Sequence, residues 1–190
     1  MATRTPRVIT DEELLALPKD GCKYEVVDGE LVKMSPAGNR HEIIIARLAG
    51  RLGAYVEAHD LGDVIGSNAM YVLPPRGQKR SPDLSFVAKG RMTPAGILVR
   101  DATFPAVAPD LAVEVISPTE RPSLYLEKVA DYQRAGVRLL WVIDPQNRDV
   151  TIYRPVSDPT PNVVVIGPEA ALDGADVVPG FRCLLSDLLK

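Results

Sequence analysis

The sequence has little of several features that mark particular protein classes. Its two cysteines, Cys22 and Cys183, stand far apart in 190 residues, which excludes a disulfide scaffold and a cysteine-rich zinc module. No histidine-rich cluster suggests zinc either. No apolar run approaches the roughly 18 residues of a membrane span, and the first residues lack the apolar stretch of a secretory signal. We therefore expect a cytoplasmic protein with no membrane partner.

The chain also has no excess of positive charge and none of the common phosphate-loop motifs. With 22 basic and 25 acidic residues its net charge is −3, which argues against coating nucleic acid through bulk charge but leaves room for a local basic groove. The absence of G-x-x-x-x-G-K-[ST] and G-x-G-x-x-G removes support for nucleotide folds. The absence of G-x-S-x-G removes the usual hydrolase nucleophile.

The patterns that are present alternate between helix and strand. Thr10 and Glu13 form a capping-box pattern at a helix start, and Asp28-Gly29 between two apolar runs predicts a hairpin. Residues 41–58 carry apolar side chains at helical period. The other predicted strands and helices cover 63–73 (a strand pair or one bent strand), 83–88, 111–116, a helix at 125–135, 139–143, 149–153, 163–166, 177–178 and a helical turn or two at 184–189.

The segment 111–143 is the centre of the predicted fold. Its strand, helix and strand are long enough for a crossover, which would make the two strands parallel. The continuous apolar run 139–143 is typical of a strand covered on both faces. We therefore predict a mixed α/β (α+β) fold with a central mixed sheet flanked by helices. It would form a single domain over 1–190, with a core at about 10–154 and peripheral C-terminal strands in 155–190.

Glu114 is the most informative residue, because it interrupts the apolar strand L-A-V-E-V-I at 111–116. A carboxylate in such a strand is costly unless it is paired, hydrogen-bonded or bound to a metal. For an isolated glutamate, an outward position on an edge strand or a structural pair with an arginine is the commoner explanation.

Asp83 and Asp110 are the two aspartates that follow a proline near predicted strands. Asp110 stands four residues before Glu114, so the two would face the same side but lie about 13 Å apart at about 3.3 Å per residue, too far to share one metal. If a metal site exists, Asp83 is therefore the partner of Glu114 and Asp110 is structural. Asp83 alone would be explained as a strand-entry aspartate.

Lys128, Glu25 and His41 are further candidates. Lys128 borders the apolar stripe of its helix, from where its ammonium either extends to solvent or reaches toward Glu114. Glu25 either faces water or belongs to a site, and His41 is either a helix cap or a functional group. Carboxylates that hold Mg²⁺, with a lysine beside them, are suited to phosphodiester hydrolysis.

Several stretches, in this order and spacing, resemble the Uma family, bacterial proteins assigned as restriction endonucleases within the PD-(D/E)XK nuclease superfamily. The resemblance covers about residues 10 to 154. Its motifs are Y-E-V-V-D-G-E-L at 24–31, the helix opening with His41, R-S-P-D at 80–83, P-D-L-A-V-E-V-I-S-P at 109–118, K-x-x-x-Y-x-x-A-G-V at 128–137 and L-W-V-I-D-P at 140–145.

This resemblance implies a restriction-endonuclease-like core in which Asp83 and Glu114 bind Mg²⁺ or Mn²⁺. The superfamily places a lysine two residues after the second acid, where this chain has Ile116. The resemblance implies that the lysine has moved to the following helix, which matches Lys128. Glu25 and His41 match recurrent family positions and would complete the site.

The function that the resemblance implies is Mg²⁺-dependent endonuclease hydrolysis of DNA, by a homodimer with the apolar C-terminal strands as a candidate interface. A basic run, Arg76, Lys79 and Arg80, precedes Asp83. Arg80 is a candidate phosphate contact, although the run is equally typical of a solvated loop. The alternative is a nuclease-like scaffold that acts as a non-cleaving binding or regulatory module, or on another phosphate ester. The acidic charge favours this alternative.

Overall fold

The fold was analysed in a computed structural model that describes residues 9–18, 22–34, 36–91, 104, 107–118, 122–155 and 162–190. Most of the segment 90–108, for which the sequence predicts neither helix nor strand, lies outside these residues. The helices in the described ranges are α1 (Asp11–Leu15), α2 (Asn39–Ala58), α3 (Pro122–Arg134) and α4 (Leu185–Leu188). The strands are β1 (Lys23–Val27), β2 (Glu30–Met34), β3 (Gly62–Gly66), β4 (Tyr71–Leu73), β5 (Gln78–Arg80), β6 (Leu84–Ala88), β7 (Leu111–Val115), β8 (Leu139–Asp144), β9 (Asp149–Tyr153), β10 (Val163–Ile166), β11 (Ala171–Asp173) and β12 (Arg182–Leu184).

A six-stranded mixed sheet forms the centre of the molecule, in the order β10-β9-β8-β7-β6-β3. Strands β7 and β8 pair in parallel, with Leu111 opposite Leu139, and the other neighbours are antiparallel. The predicted mixed sheet and the parallel pair on either side of a helix are therefore confirmed. Strands β7 and β8 are central in the sheet and buried on both faces, which explains their nearly continuous apolar sequences.

Two separate apolar cores cover the two faces of this sheet. On one face, the apolar stripe of α2, including Leu48 and Leu52, packs with Val113 and Trp141. On the other face, Val129 and Tyr132 of α3 pack with Ala112. Because side chains alternate along a strand, Glu114 points to the same face as Ala112, toward α3.

A second sheet, in the order β2-β1-β5-β4, carries the predicted hairpin. Asp28 and Gly29 both have positive φ, 49° and 84°, as a primed hairpin turn requires, so this prediction is confirmed. The segment predicted at 63–73 is neither a strand pair nor one bent strand. Its halves join different sheets: β3 pairs with β6, and β4 pairs with β5.

The C-terminal region is partly as predicted. Strand β10 extends the central sheet beside β9, and α4 occupies the predicted final helical turn. The strand predicted at Val177-Val178 is wrong, because these residues lie in turns between β11 and β12 and bury their side chains in the core. Among the described residues, none of the helices has both the length and the apolar character that a membrane crossing needs.

Candidate active site

The three residues at the centre of the sequence-based site, Asp83, Glu114 and Lys128, line one cavity of about 550 Å³. Asp83 directly precedes β6, Glu114 lies near the end of the neighbouring strand β7, and Lys128 comes from α3. His41, at the start of α2, and Lys23, the first residue of β1, line the same cavity. Both sheets and two helices therefore contribute polar groups to this one place.

Asp83 is held against β7 by its backbone and its side chain. Its N–H donates to the carbonyl of Val113, and its Oδ2 accepts from the N–H of Val115 at 2.9 Å, so these contacts flank Glu114. His41 Nε2 also lies 2.9 Å from Oδ2, and Lys23 Nζ donates to Oδ1 at 2.9 Å. Burial acts to raise the pKa of Asp83, but the hydrogen bond from His41 and the charge of Lys23 outweigh it and hold that pKa well below its usual value.

Because Asp83 is ionised it accepts hydrogen bonds, so His41 Nε2 carries the proton of their contact. Burial acts to lower the pKa of His41, yet the hydrogen bond and charge of Asp83 raise it overall. The imidazole is 9% exposed, which places it inside the protein rather than at a solvated helix cap. Its contact with Oδ2 gives His41 a definite role, the orientation of the Asp83 carboxylate.

Glu114 is not on an edge strand, and within the described ranges its ion-pair partner is Lys128 rather than an arginine. Its Oε1 accepts a hydrogen bond of 2.7 Å from the hydroxyl of Tyr132, and its Oε2 accepts one of 3.4 Å from Lys128 Nζ. Burial raises the pKa of Glu114 to about 7, and the charge of Lys128 acts in the opposite direction. Asp83 and Glu114 thus differ in pKa: the pKa of Asp83 is lowered, and that of Glu114 is raised.

Lys128 does not extend to solvent; it is 4% exposed. Its Nζ lies 3.4 Å from Glu114 Oε2 and 3.5 Å from Glu25 Oε1. Glu25 is fully buried and also accepts from the N–H of Ser81 and from Arg80. Glu25 therefore does not face water, and it is connected to the cavity through Lys128.

The expectation that Arg80 contacts phosphate requires correction. Arg80 is 3% exposed and does not line the cavity. Its guanidinium donates to Glu25 Oε2 at 2.9 Å and, through two nitrogens, to Asp131 Oδ2 at 2.9 and 2.6 Å. We call Glu25, Arg80 and Asp131 the buried cluster. Arg80 is a structural ion-pair partner within it.

The rest of the basic run is also paired with acids. Arg76 donates to Asp28 and Lys79 to Asp11, so these charges are partly neutralised. The sequence predicts a structural role for Asp110 rather than a place in the metal site. Asp110 is 1% exposed, accepts a hydrogen bond from the N–H of Ala88, and forms ion pairs with Arg91 and Arg138. This arrangement agrees with its expected structural role.

Sequence reasoning missed two residues of the site, Lys23 and Tyr132. Lys23 stands two residues before Glu25, and alternation along a strand puts both side chains on one face of the hairpin. Tyr132 stands four residues after Lys128, one helical turn along the same face. Both signals were available in the spacing, but the tyrosine of the K-x-x-x-Y motif, Tyr132, was given no role in the site.

The donor set suits a hard divalent cation. Among the described residues no group of three or more His, Cys, Asp and Glu side chains is arranged to enclose a metal. Asp83 and Glu114 offer two carboxylates at an open cavity. Mg²⁺ is commonly held in this way, by one or two carboxylates together with water and phosphate oxygens.

Comparisons with known proteins agree with this fold. A family model described as "Uma2: Putative restriction endonuclease" matches residues 11–186. No curated protein sequence matches the chain. A crystal structure from Anabaena variabilis ATCC 29413, described as a "putative nuclease belonging to DUF820", superimposes with a TM-score of 0.79 at 20% identity, covering 95% of this chain and 97% of the other. The match over most of its length shows that the chain belongs to the Uma2 family.

Proposed function

We propose that the protein is a Mg²⁺- or Mn²⁺-dependent endonuclease that hydrolyses phosphodiester bonds of DNA, with a site of the PD-(D/E)XK type. Family membership and the nuclease-like fold support a nuclease-like role. The observation that carries the finer proposal is the convergence of Asp83, Glu114 and Lys128 on one cavity. Asp83 and Glu114 would hold the cation, which when bound supplies an acidified water and neutralises charge on the phosphate.

The protein's own residues have separate tasks in this proposal. Asp83, oriented by His41 and the N–H of Val115, and Glu114, oriented by Tyr132, present one oxygen each to the cavity. Lys128 stabilises the negative charge that develops on the phosphate oxygens as water attacks the phosphorus. Glu25 holds the Lys128 ammonium beside Glu114, so that this charge is in place before the reaction.

The test is DNA cleavage by the purified protein in Mg²⁺ or Mn²⁺, compared with Asp83→Ala and Glu114→Ala. We expect each variant to lose about a thousandfold in rate, since each removes a metal ligand and with it the stabilisation of the transition state. Glu57→Ala, an exposed acid on α2, is the matched control and should cleave as the parent does. If both site variants cleave as well as the parent, the site assignment is wrong.

The second candidate, a nuclease-like scaffold or an enzyme acting on another phosphate ester, is favoured by the charge. The net charge is −3, and Arg76 and Lys79 of the basic run pair with acids. Calorimetry with Mg²⁺ and Mn²⁺ separates the candidates. Absence of metal binding would favour the scaffold, and metal binding without DNA affinity at low salt would favour a smaller substrate.

The homodimer and the cytoplasmic location remain predictions. Strand β10 at the edge of the central sheet exposes Val163 and Val165, by 45% and 61%, which is compatible with an interface between C-terminal strands. Sedimentation of the parent and of Val165→Lys would test this. A dimer that dissociates on substitution supports the prediction, and a monomeric parent contradicts it.

A further inference from the structure

Several side chains described above line the cavity. Of these, Lys23 is the one that has no task in the proposed mechanism. Its side chain is 21% exposed, and its Nζ donates to Asp83 Oδ1 at 2.9 Å. The charge of Lys23 also acts on Glu114, where it opposes the rise in that carboxyl's pKa. Lys23 lines the same cavity as both acids, although its backbone belongs to the other sheet.

The two acids share a pattern in how their oxygens are bound. One oxygen of each is anchored by groups fixed in the fold: Asp83 Oδ2 by His41 and Val115, and Glu114 Oε1 by Tyr132. The second oxygen of each faces a lysine, at 2.9 Å for Asp83 and 3.4 Å for Glu114. The oxygens that face lysines are the ones that a ligand could take without breaking an anchoring contact.

The two lysines differ in how they are held. Lys128 is buried and has Glu25 as well as Glu114 beside it, so it keeps an acidic neighbour when a cation approaches Glu114. Within the described part of the chain, Lys23 forms its ion pair with Asp83. Lys23 also reaches solvent and has a flexible four-carbon side chain. A divalent ion attracts the Asp83 carboxylate more strongly than one ammonium does, so Lys23 is the lysine that yields.

We propose that Lys23 is an exchangeable cation and phosphate-binding residue: it neutralises Asp83 until a divalent ion binds there, and it then contacts a phosphodiester oxygen in the cavity. The inference rests on the proposed metal site and deepens it. When no metal is bound, Asp83 and Glu114 face the two lysines, Lys23 and Lys128. A divalent ion adds two positive charges to this group, and the cavity then favours an anion. A displaced lysine tethered to β1 is well placed to bind phosphate as a point charge.

The test measures metal and DNA binding separately in the parent and in Lys23→Gln. Calorimetric titration with Mn²⁺ alone should give about tenfold tighter binding to Lys23→Gln, because a competing charge has gone. Binding of a short labelled DNA duplex, followed by fluorescence anisotropy with saturating Ca²⁺, should be about tenfold weaker, because a charged phosphate contact is lost. A variant that merely misfolds would weaken both, so the opposite signs are diagnostic.

Two further variants sharpen this test. Lys89→Gln makes the same charge change at the far end of β6, about 20 Å from Asp83 at about 3.3 Å per residue, and should change neither affinity. Lys23→Arg keeps the charge and should retain DNA binding close to that of the parent.

The outcomes distinguish this inference from the proposed function. If neither the parent nor Lys23→Gln binds Mn²⁺, the cavity is not a metal site, and both fail. If both bind Mn²⁺ equally, or if the variant binds it more weakly, the exchange is overturned while the proposed metal site stands. If Mn²⁺ binds more tightly but DNA binding is unchanged, Lys23 is not a phosphate contact and the inference is overturned.

Discussion

Two groups of charged residues meet at Lys128, and they differ in what surrounds them. The buried cluster of Glu25, Arg80 and Asp131 lies behind the lysine, where each residue is at most 3% exposed. The cavity cluster, which we define as Asp83, Glu114, Lys23 and His41, lies in front of it and lines the cavity. Both clusters contain acidic and basic groups, but the basic groups contact the carboxylates in different ways.

In the buried cluster the guanidinium is committed to both acids. Arg80 donates to Glu25 through one nitrogen and to Asp131 through two others. In the cavity cluster, by contrast, each acid has one anchored oxygen and one that faces a lysine. The difference indicates that the buried cluster sets the position of Lys128, whereas the cavity cluster keeps charge that a ligand can exchange.

The largest effect that this comparison predicts is the loss of stability in Arg80→Met. The substitution removes the guanidinium that two buried carboxylates share and leaves Glu25 with Lys128 and Asp131 with Arg134. Breaking a buried ion pair costs about 3–5 kcal/mol in the free energy of unfolding. Urea denaturation followed by the fluorescence of Trp141 measures it. The matched control is Arg76→Met, whose pair with Asp28 is about half exposed on each side and should contribute at most about 1 kcal/mol. Equal losses in the two variants would show that the buried cluster contributes no more to the free energy of unfolding than an exposed ion pair does.

The buried cluster also shows where sequence reasoning stops. Strand β5 consists of Gln78, Lys79 and Arg80, and alternation along it buries Gln78 and Arg80. A run of basic residues alone does not show which of its members point inward. The partners of Arg80 are 55 and 51 residues away in the chain, so no local spacing connects them. The phosphate contact assigned to Arg80 was wrong for this reason.

Other parts of the molecule were predictable because their signals are local. Asp28-Gly29 determines the hairpin turn, and the run Leu139–Asp144 is apolar because the sheet covers it on both sides. Glu114 stood out because a charge interrupts such a run. Asp83 and Lys128 were candidate neighbours of Glu114 from the residues, with alternatives open, and the family resemblance selected them. Spacing alone could not do so, since the end of one strand, its neighbour and a helix meet there only after folding. The Val177-Val178 doublet was misassigned because a buried turn and a short strand have the same apolar sequence.

A smaller effect is expected at the junction of the two clusters, in Tyr132→Phe. The variant keeps the packed ring but removes the hydroxyl that donates to Glu114 Oε1. A hydrogen bond to a charged group contributes about 1.5–3 kcal/mol to stability. Urea denaturation above pH 7, where Glu114 with its pKa of about 7 is ionised, should show a loss of this size. In a Glu114→Gln background the loss should shrink, because the charged acceptor is gone.

Tyr55→Phe is the matched control for this prediction. Its hydroxyl donates to the carbonyl of Pro179 at an exposed position, where water replaces the lost contact, so a smaller loss is expected. If Tyr132→Phe were no more costly than this control, the anchoring of Glu114 by Tyr132 would be contradicted.

The smallest expected effect is that of Lys23→Gln on stability. Its ion pair with Asp83 lies at the cavity, with the lysine side chain 21% exposed, and Asp83 keeps its contacts with His41 and Val115. Because Asp83 remains hydrogen-bonded, we expect a loss of about 1 kcal/mol or less in urea denaturation, and a smaller one at high salt, which screens exposed charges. A loss as large as that of Arg80→Met would mean that Lys23 holds the fold together as the buried cluster does. An ammonium bound so strongly would not give way to a metal ion, and the distinction between fixed and exchangeable charge would disappear.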